Sequence, residues 1–251
     1  MKPATSRSQP VILHPSSFIL PPSSTMPTAI CLGEALIDFI ADVAGVTLVD
    51  CPGFRKAPGG APANVAVGLV RLGVDAAFLG KVGDDPFGHF LEQTFAGAGV
   101  DTRYMRFDPD HRTGLAFVSL KADGDRDFVF FRNPSADMLY APAEIPDEAL
   151  AGCRIYHFGS ISLIQDPSRA ATLDALHRAR EQGALISYDP NLRAPLWPDL
   201  NSARREILAA LPLADVVKVS EEEAEFLFGP GSPESYAERL LQAGPQLAVV
   251  T

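Results

Sequence analysis

APGGAPANVAVGLVRLGVDAAFLGKVGDDPFG, residues 57–88, contains in one stretch the alternation that decides the fold. Gly59-Gly60 makes a turn before a helix of small apolar residues, and AAFLG (76–80) then reads as a short β run. A second helix follows: Asp85 caps it, Pro86 suits its first turn, and Phe87, Phe90, Leu91 and Phe95 recur at helical spacing until Gly97 and Gly99 stop it. Helices alternating with short strands call for a mostly parallel sheet covered on both faces.

Working outward, similar β runs recur at AICLGE (29–34), RIYHFG (154–159), ALISYD (184–189), VVKVS (216–220) and QLAVVT (246–251). Two segments break the alternation. Residues 45–57 and 113–131 read as strands with no helix between them, the second joined internally by an Asp123-Gly124 turn that favours a hairpin. They are expected to form a small antiparallel sheet, apolar on both faces, with Leu115 and Phe117 on one and Ala116, Val118 and Leu120 on the other. A lid over a site, or a subunit contact, would cover such a face; the alternative is that the hairpin extends the main sheet.

With 251 residues, 47% hydrophobic and 21% charged, the chain can bury a large core as one α/β domain. A net charge of -10 with no clustered Lys/Arg argues against nucleic acid or anionic membrane as partners. Cys31, Cys51 and Cys153 lie far apart, with no C-x-x-C, so neither a disulfide framework nor a structural zinc is expected, and a reducing cytoplasm fits. Residues 1–27 are rich in Pro and Ser, carry no acidic residue, and lack the apolar core of a secretory signal. We expect them to be a disordered extension, with Met26 hinting at an upstream-extended start.

In an open parallel sheet, ligands bind where strands end at their carboxyl edge. Asp38 after the first run, Asp189 and Asn191 after ALISYD, and Ser220 to Glu223 after VVKVS all fall there. The glycine turn lacks the Walker lysine and the G-x-G-x-x-G pattern, so a phosphate cradle is disfavoured. Gly59-Gly60 lets backbone approach a ligand closely, and Asn64 offers both a donor and an acceptor, a combination suited to a neutral, hydroxyl-rich molecule. Gly-Gly before a helix also serves as a plain turn.

The 57–88 stretch, together with GEALIDF (33–39), RTGLAFV (112–118), FFRNPSADMLY (130–140), GSISL (159–163), SYDPNLRAPLWP (187–198) and KVSEEEAEFLFG (218–229), resembles the ribokinase-like sugar kinases, which include the phosphofructokinase-B type, and within them the fructokinase branch. The resemblance covers about residues 29–251. It implies a ribokinase-like three-layer α/β/α fold over 28–251, with a mostly parallel central sheet and a small antiparallel β lid from 45–57 and 112–134. It also implies an ATP-dependent kinase acting on the primary alcohol of D-fructose. The alternatives are 2-keto-3-deoxygluconate kinase and a non-catalytic sugar-binding or dimerising fragment.

Position by position, the resemblance assigns Asp38 to the carboxylate that grips sugar hydroxyls, and Gly59, Gly60 and Asn64 to the loop that closes on the sugar. Arg132 matches an arginine that reaches substrate from the lid. Asp189 and Glu223 match the pair that holds Mg²⁺ near the nucleotide phosphates, with Asn191, Arg193 and Ser220 on the phosphate side. Glu221 to Glu223 also suit plain charge stabilisation of a helix N-terminus. Where many members carry Asn before this helix, this chain has Ser220. His89, His157 and His177 fall on structural segments and receive no role. The family's catalytic base, in a Gly-Ala-Gly-Asp motif, does not occur before Thr251. The resemblance therefore implies that the base, any K⁺ site and much of the adenine pocket lie downstream, and that this chain alone is inactive. It also implies a homodimer through the lid.

Overall fold

The computed structural model describes residues 27–120 and 126–251, with the side chains of Leu120, Arg126 and Asp127 excluded. The expected extension, except for its last residue, and the Asp123-Gly124 turn lie outside the described residues.

All six expected runs form strands of one parallel sheet: β1 (Ala29–Leu32), β4 (Ala76–Gly83), β8 (Ile155–Phe158), β9 (Leu185–Tyr188), β10 (Val216–Val219) and β11 (Leu247–Val250). A seventh, β5 (Met105–Asp108), escaped the sequence reading because MRFD is short and half charged. Its pairing with the far end of β4, Gly80 opposite Met105 through Gly83 opposite Asp108, makes it a strand. The order is β11-β10-β9-β8-β1-β4-β5.

The helices that cover this sheet are α1 (Ala61–Arg71), α2 (Pro86–Gly97), α3 (Asp147–Leu150), α4 (Ser168–Glu181), α5 (Leu200–Ala210), α6 (Glu221–Phe228) and α7 (Pro233–Gln242). Strand residues alternate between two cores, as a period of two requires. Ile30, Leu32, Tyr156, Phe158 and Ile186 belong to one core; Ala29, Cys31, Phe78 and Val82 face the other with Leu91 and Phe95 of α2. The Asp85 cap forms as expected, Oδ1 accepting from the N–H groups of Phe87 and Gly88 at 2.9 Å. Its other oxygen accepts from Thr113 N–H at 2.8 Å, and these bonds hold the Asp85 carboxyl below its ordinary pKa despite burial. Leu247 and Val249 stay about two-fifths exposed on edge strand β11, at 40% and 39%.

The remaining strands, β2 (Leu36–Ala41), β3 (Phe54–Gly59), β6 (Gly114–Leu120) and β7 (Arg126–Phe131), form a separate sheet in the order β3-β2-β6-β7. The hairpin therefore does not extend the main sheet. Two expectations change here. The sheet is mixed rather than antiparallel: β2 runs parallel to β6, because each is the continuation of a parallel main-sheet strand, β1 and β5, and leaves in the same direction. Within 45–57 only the end is strand, while residues 42–50 form bends and a turn; the partner of β3 is β2, a strand not among the expected runs.

The two faces of this sheet differ. Phe39, Phe54, Phe117 and Phe131 form an aromatic cluster on the outer face, with Phe39 and Phe117 stacked at 4.9 Å and Phe131 meeting Phe117 edge-on at 5.5 Å. Leu36, Asp38, Ile40, Val118, Phe128 and Phe130 line a cleft on the inner face. Among the described residues, no helix is long and apolar enough to cross a membrane.

Candidate active site

The inner face of the small sheet closes over the carboxyl edge of the main sheet, enclosing a cleft of about 710 Å³. Asp38, Gly60, Asn64, Asp189, Asn191 and Arg193 all line it. Asp38 stands in the middle of β2, half-buried. Burial raises its pKa, and the nearby Arg193 charge opposes that rise without cancelling it. Gly59 ends β3 opposite Leu36, and a Cβ there would lie 2.5 Å from Asp38 Oδ2, so a side chain at 59 would push this carboxylate aside. Gly60, with φ +109°, caps α1 without a side chain, and a Cβ there would strike the Glu34 carbonyl. Asn64 is exposed in the first turn of α1.

The loop after β9 forms the opposite wall. Asp189 Oδ1 accepts the Asn191 N–H at 3.1 Å, an Asx turn that places Asn191 at φ +46°, a conformation its side chain tolerates. Asp189 Oδ2 faces Lys218 Nζ at 3.5 Å. Burial raises the Asp189 pKa, Lys218 opposes, and the Glu223 charge adds to the rise. Asn191 and Arg193 also border a second cavity of about 350 Å³, which Lys218, Ser220, Glu222 and Glu223 complete. The 189–193 loop thus divides two neighbouring spaces.

Glu223 is tied down on both oxygens. Oε2 accepts the Ser220 N–H at 2.8 Å while Ser220 Oγ accepts the Glu223 N–H at 3.1 Å, a capping box on α6. Oε1 accepts the Leu192 N–H at 2.6 Å, which anchors the 189–193 loop to this helix. The helix-stabilising reading of this glutamate is thus realised in full. Among the described residues no three His, Cys, Asp or Glu side chains gather as a direct metal cage. A carboxylate on the 189–193 loop and one in the first turn of α6 would suit Mg²⁺ held through water, since that ion dehydrates reluctantly.

Arg132 is not brought into the large cleft. It is buried just past β7, ion-paired with Asp137, whose other oxygen accepts from Ser135 Oγ, and it borders a separate 240 Å³ cavity beside Trp197. Three groups on these walls had no place in the sequence reading. Lys218 interrupts the apolar run VVKVS, a signal that could have drawn attention to it. His157, assigned no role, borders the cleft, because strand alternation turns it away from Tyr156 and Phe158; its Nδ1 lies 3.0 Å from Ser187 Oγ on the neighbouring strand, and burial lowers its pKa to about 4. Glu34, inside GEALIDF, is 2% exposed at the base of the cleft, where its Oε1 accepts the Ala61 N–H at 2.8 Å.

A parallel α/β core carries a small sheet folded over a glycine-edged cleft. The pfkB family carbohydrate kinase model matches residues 26–251, and the chain belongs to that family. Probable fructokinase-7 of Arabidopsis thaliana is 53% identical over 204 residues, 81% of this chain and 60% of that protein. The curated relatives it matches first are covered over only about three-fifths of their length, 59 to 61%. The crystal structure of fructokinase from Xylella fastidiosa superposes with a TM-score of 0.79 at 36% identity, over 90% of this chain and 70% of that one. A Vibrio cholerae O395 fructokinase, crystallised with fructose, ADP and calcium ion bound, gives a TM-score of 0.79 at 38% identity, covering 91% of this chain and 71% of its own.

Proposed function

We propose that this chain holds the sugar in an ATP-dependent fructokinase, one that transfers a phosphoryl group to the primary alcohol of D-fructose. The observation that carries this reading is the meeting of Asp38, Gly60 of the glycine turn and Asn64 with the 189–193 loop in one lidded cleft. Asp38 accepts hydrogen bonds from two sugar hydroxyls, strong bonds because the acceptor is charged, and so fixes which alcohol faces the phosphate donor. Asn64 and the loop backbone pair with the remaining hydroxyls, while Phe128, Phe130 and Val118 exclude water above them. ATP phosphates lie on the other side of the 189–193 loop. There Arg193 and Lys218 supply positive charge and Glu223 would help to hold Mg²⁺, with Asp189 joining from the cleft side of the loop. The ion offsets phosphate charge when bound.

A neutral ketose is favoured over a 2-keto-3-deoxy acid by the state of Arg132. The acid's carboxylate would need that guanidinium, which is already paired with Asp137 outside the cleft. A reducing, cytoplasmic setting accords with the free state of all three cysteines, and the outer face of the small sheet is the proposed homodimer contact. Calorimetric titration with D-fructose, D-glucose and 2-keto-3-deoxygluconate tests the substrate reading. Fructose is expected to bind, and Asp38→Ala to weaken it by at least about tenfold, the worth of one hydrogen bond to a charged group. Tighter binding of the keto acid would overturn the assignment.

A further inference from the structure

His157 sits in the third position of β8, beside Cys31 of β1 and Ser187 of β9 in the register of the main sheet. The period of a strand turns it away from Tyr156 and Phe158, which pack in the larger core, and toward the face that α1 covers. A polar ring in the middle of a covered sheet calls for a partner at each nitrogen. One has its partner, since Nδ1 lies 3.0 Å from Ser187 Oγ.

The other nitrogen, Nε2, bonds to no protein group among the described residues, yet it is not one of the fully enclosed atoms left without a partner, as Ser119 Oγ is. Some of its surface is therefore open. The residue is only 6% exposed, and the space it borders is the large cleft, which it shares with Gly60, Asn64, Asp189 and Asn191. Gly159, two residues further toward the carboxyl edge, bears no side chain to stand between the ring and that space; a Cβ there would point at Pro62 of α1, 3.8 Å away. Burial keeps the imidazole neutral, with a pKa lowered to about 4. In a neutral ring one nitrogen donates and the other accepts, and Ser187 Oγ can serve either one. Nε2 can then give or receive a hydrogen bond, and the group that complements it in both states is a hydroxyl.

We propose that His157 is a sugar-contacting residue, whose Nε2 hydrogen-bonds one hydroxyl of the bound ketose from the floor of the cleft while Ser187 holds the ring through Nδ1. The ketose is then gripped from both sheets, by Asp38 of the small one and His157 of the main one. The proposal rests on the sugar-binding reading above.

The test is calorimetric titration of the chain with D-fructose and with each of its monodeoxy analogues, for the parent and His157→Asn. Asparagine keeps a polar atom near Ser187 and withdraws the far nitrogen. It is expected to weaken fructose by about tenfold, the upper end for one neutral hydrogen bond. One monodeoxy analogue, weaker than fructose in the parent, is expected to bind parent and variant alike, because the hydroxyl that met Nε2 is already gone. Should His157→Asn fail to fold, His157→Phe, which keeps the shape of the ring without its nitrogens, carries the same comparison. Unchanged fructose affinity in the folded variant, or a loss of equal size for fructose and every analogue, overturns the proposal and leaves fructose binding standing. A folded parent that gives no heat with fructose overturns the fructose reading and with it this proposal.

Discussion

Glu34 Oε1 accepts the Ala61 N–H at 2.8 Å, so a carboxyl from the β1–β2 crossover caps the helix that begins after Gly60. The bond joins the point where the small sheet leaves the main one to the loop that borders the cleft. It also leaves a titratable group buried, with a consequence for stability.

The pH dependence of folding should show two opposing slopes. Glu34 is neutral in the folded chain up to about pH 7, whereas the unfolded carboxyl ionises near 4.5; the folded state therefore binds more protons, and stability falls as pH rises from about 4.5 to 7. His157 is neutral in the folded chain down to about pH 4, whereas the unfolded imidazole protonates below about 6.5, so its contribution is lost as pH falls through that range. Each slope amounts to roughly 3 kcal/mol at about 1.4 kcal/mol per pH unit. Between pH 4.5 and 6.5 they offset. Glu34→Gln removes the first, and urea unfolding over pH 4.5–7 should then show stability rising with pH more steeply than in the parent.

Two glycine substitutions should act in opposite directions. Gly60→Ala places a methyl group against the Glu34 carbonyl at a φ of +109°, and is expected to destabilise the chain by about 2 kcal/mol or more while abolishing fructose binding. Gly68, inside α1, has open space where its Cβ would be. Gly68→Ala is therefore expected to raise stability by about 0.5–1 kcal/mol and leave fructose affinity unchanged. Thermal unfolding and calorimetry of the pair check both.

Glu223 combines a structural and a proposed ionic role, and two variants separate them. Glu223→Ala loses the capping box and the bond to Leu192, a loss of about 1–2 kcal/mol in stability. Glu223→Gln retains an acceptor but loses the charge. If the carboxylate helps to hold Mg²⁺, Glu223→Gln will bind ADP normally without Mg²⁺ and lose the affinity gained when Mg²⁺ is added.

The outer face of the small sheet exposes 59% of Phe131 and 43% of Val129. If two copies meet there, Phe131→Glu should convert a dimer into a monomer in sedimentation equilibrium, with fructose affinity kept within a few-fold because Phe131 faces away from the cleft.

The strand–helix alternation was readable because it is local. Each parallel strand announces itself as a short apolar run, and each helix by its caps and periodicity, so six of the seven main-sheet strands were placed from residues alone. β5 was missed because MRFD owes its strand conformation to β4. β2 was missed because LIDFIA follows β1 after three residues, and nothing local says that the chain changes sheets there.

The cleft divides the same way. The sequence by itself determined the parallel α/β core, the glycine turn and the polar strand ends, since these follow from side-chain periodicity and backbone preference within a few neighbours. Only the tertiary structure decided that Arg132 pairs with Asp137 away from the cleft and that Glu223 closes a cap. It alone set Glu34 and His157 into the cleft wall, where burial raises the pKa of the one and lowers that of the other. The reason is physical. A charged side chain's partner, and the water it loses on burial, are set by residues far apart in the chain, which the fold alone brings within hydrogen-bond reach.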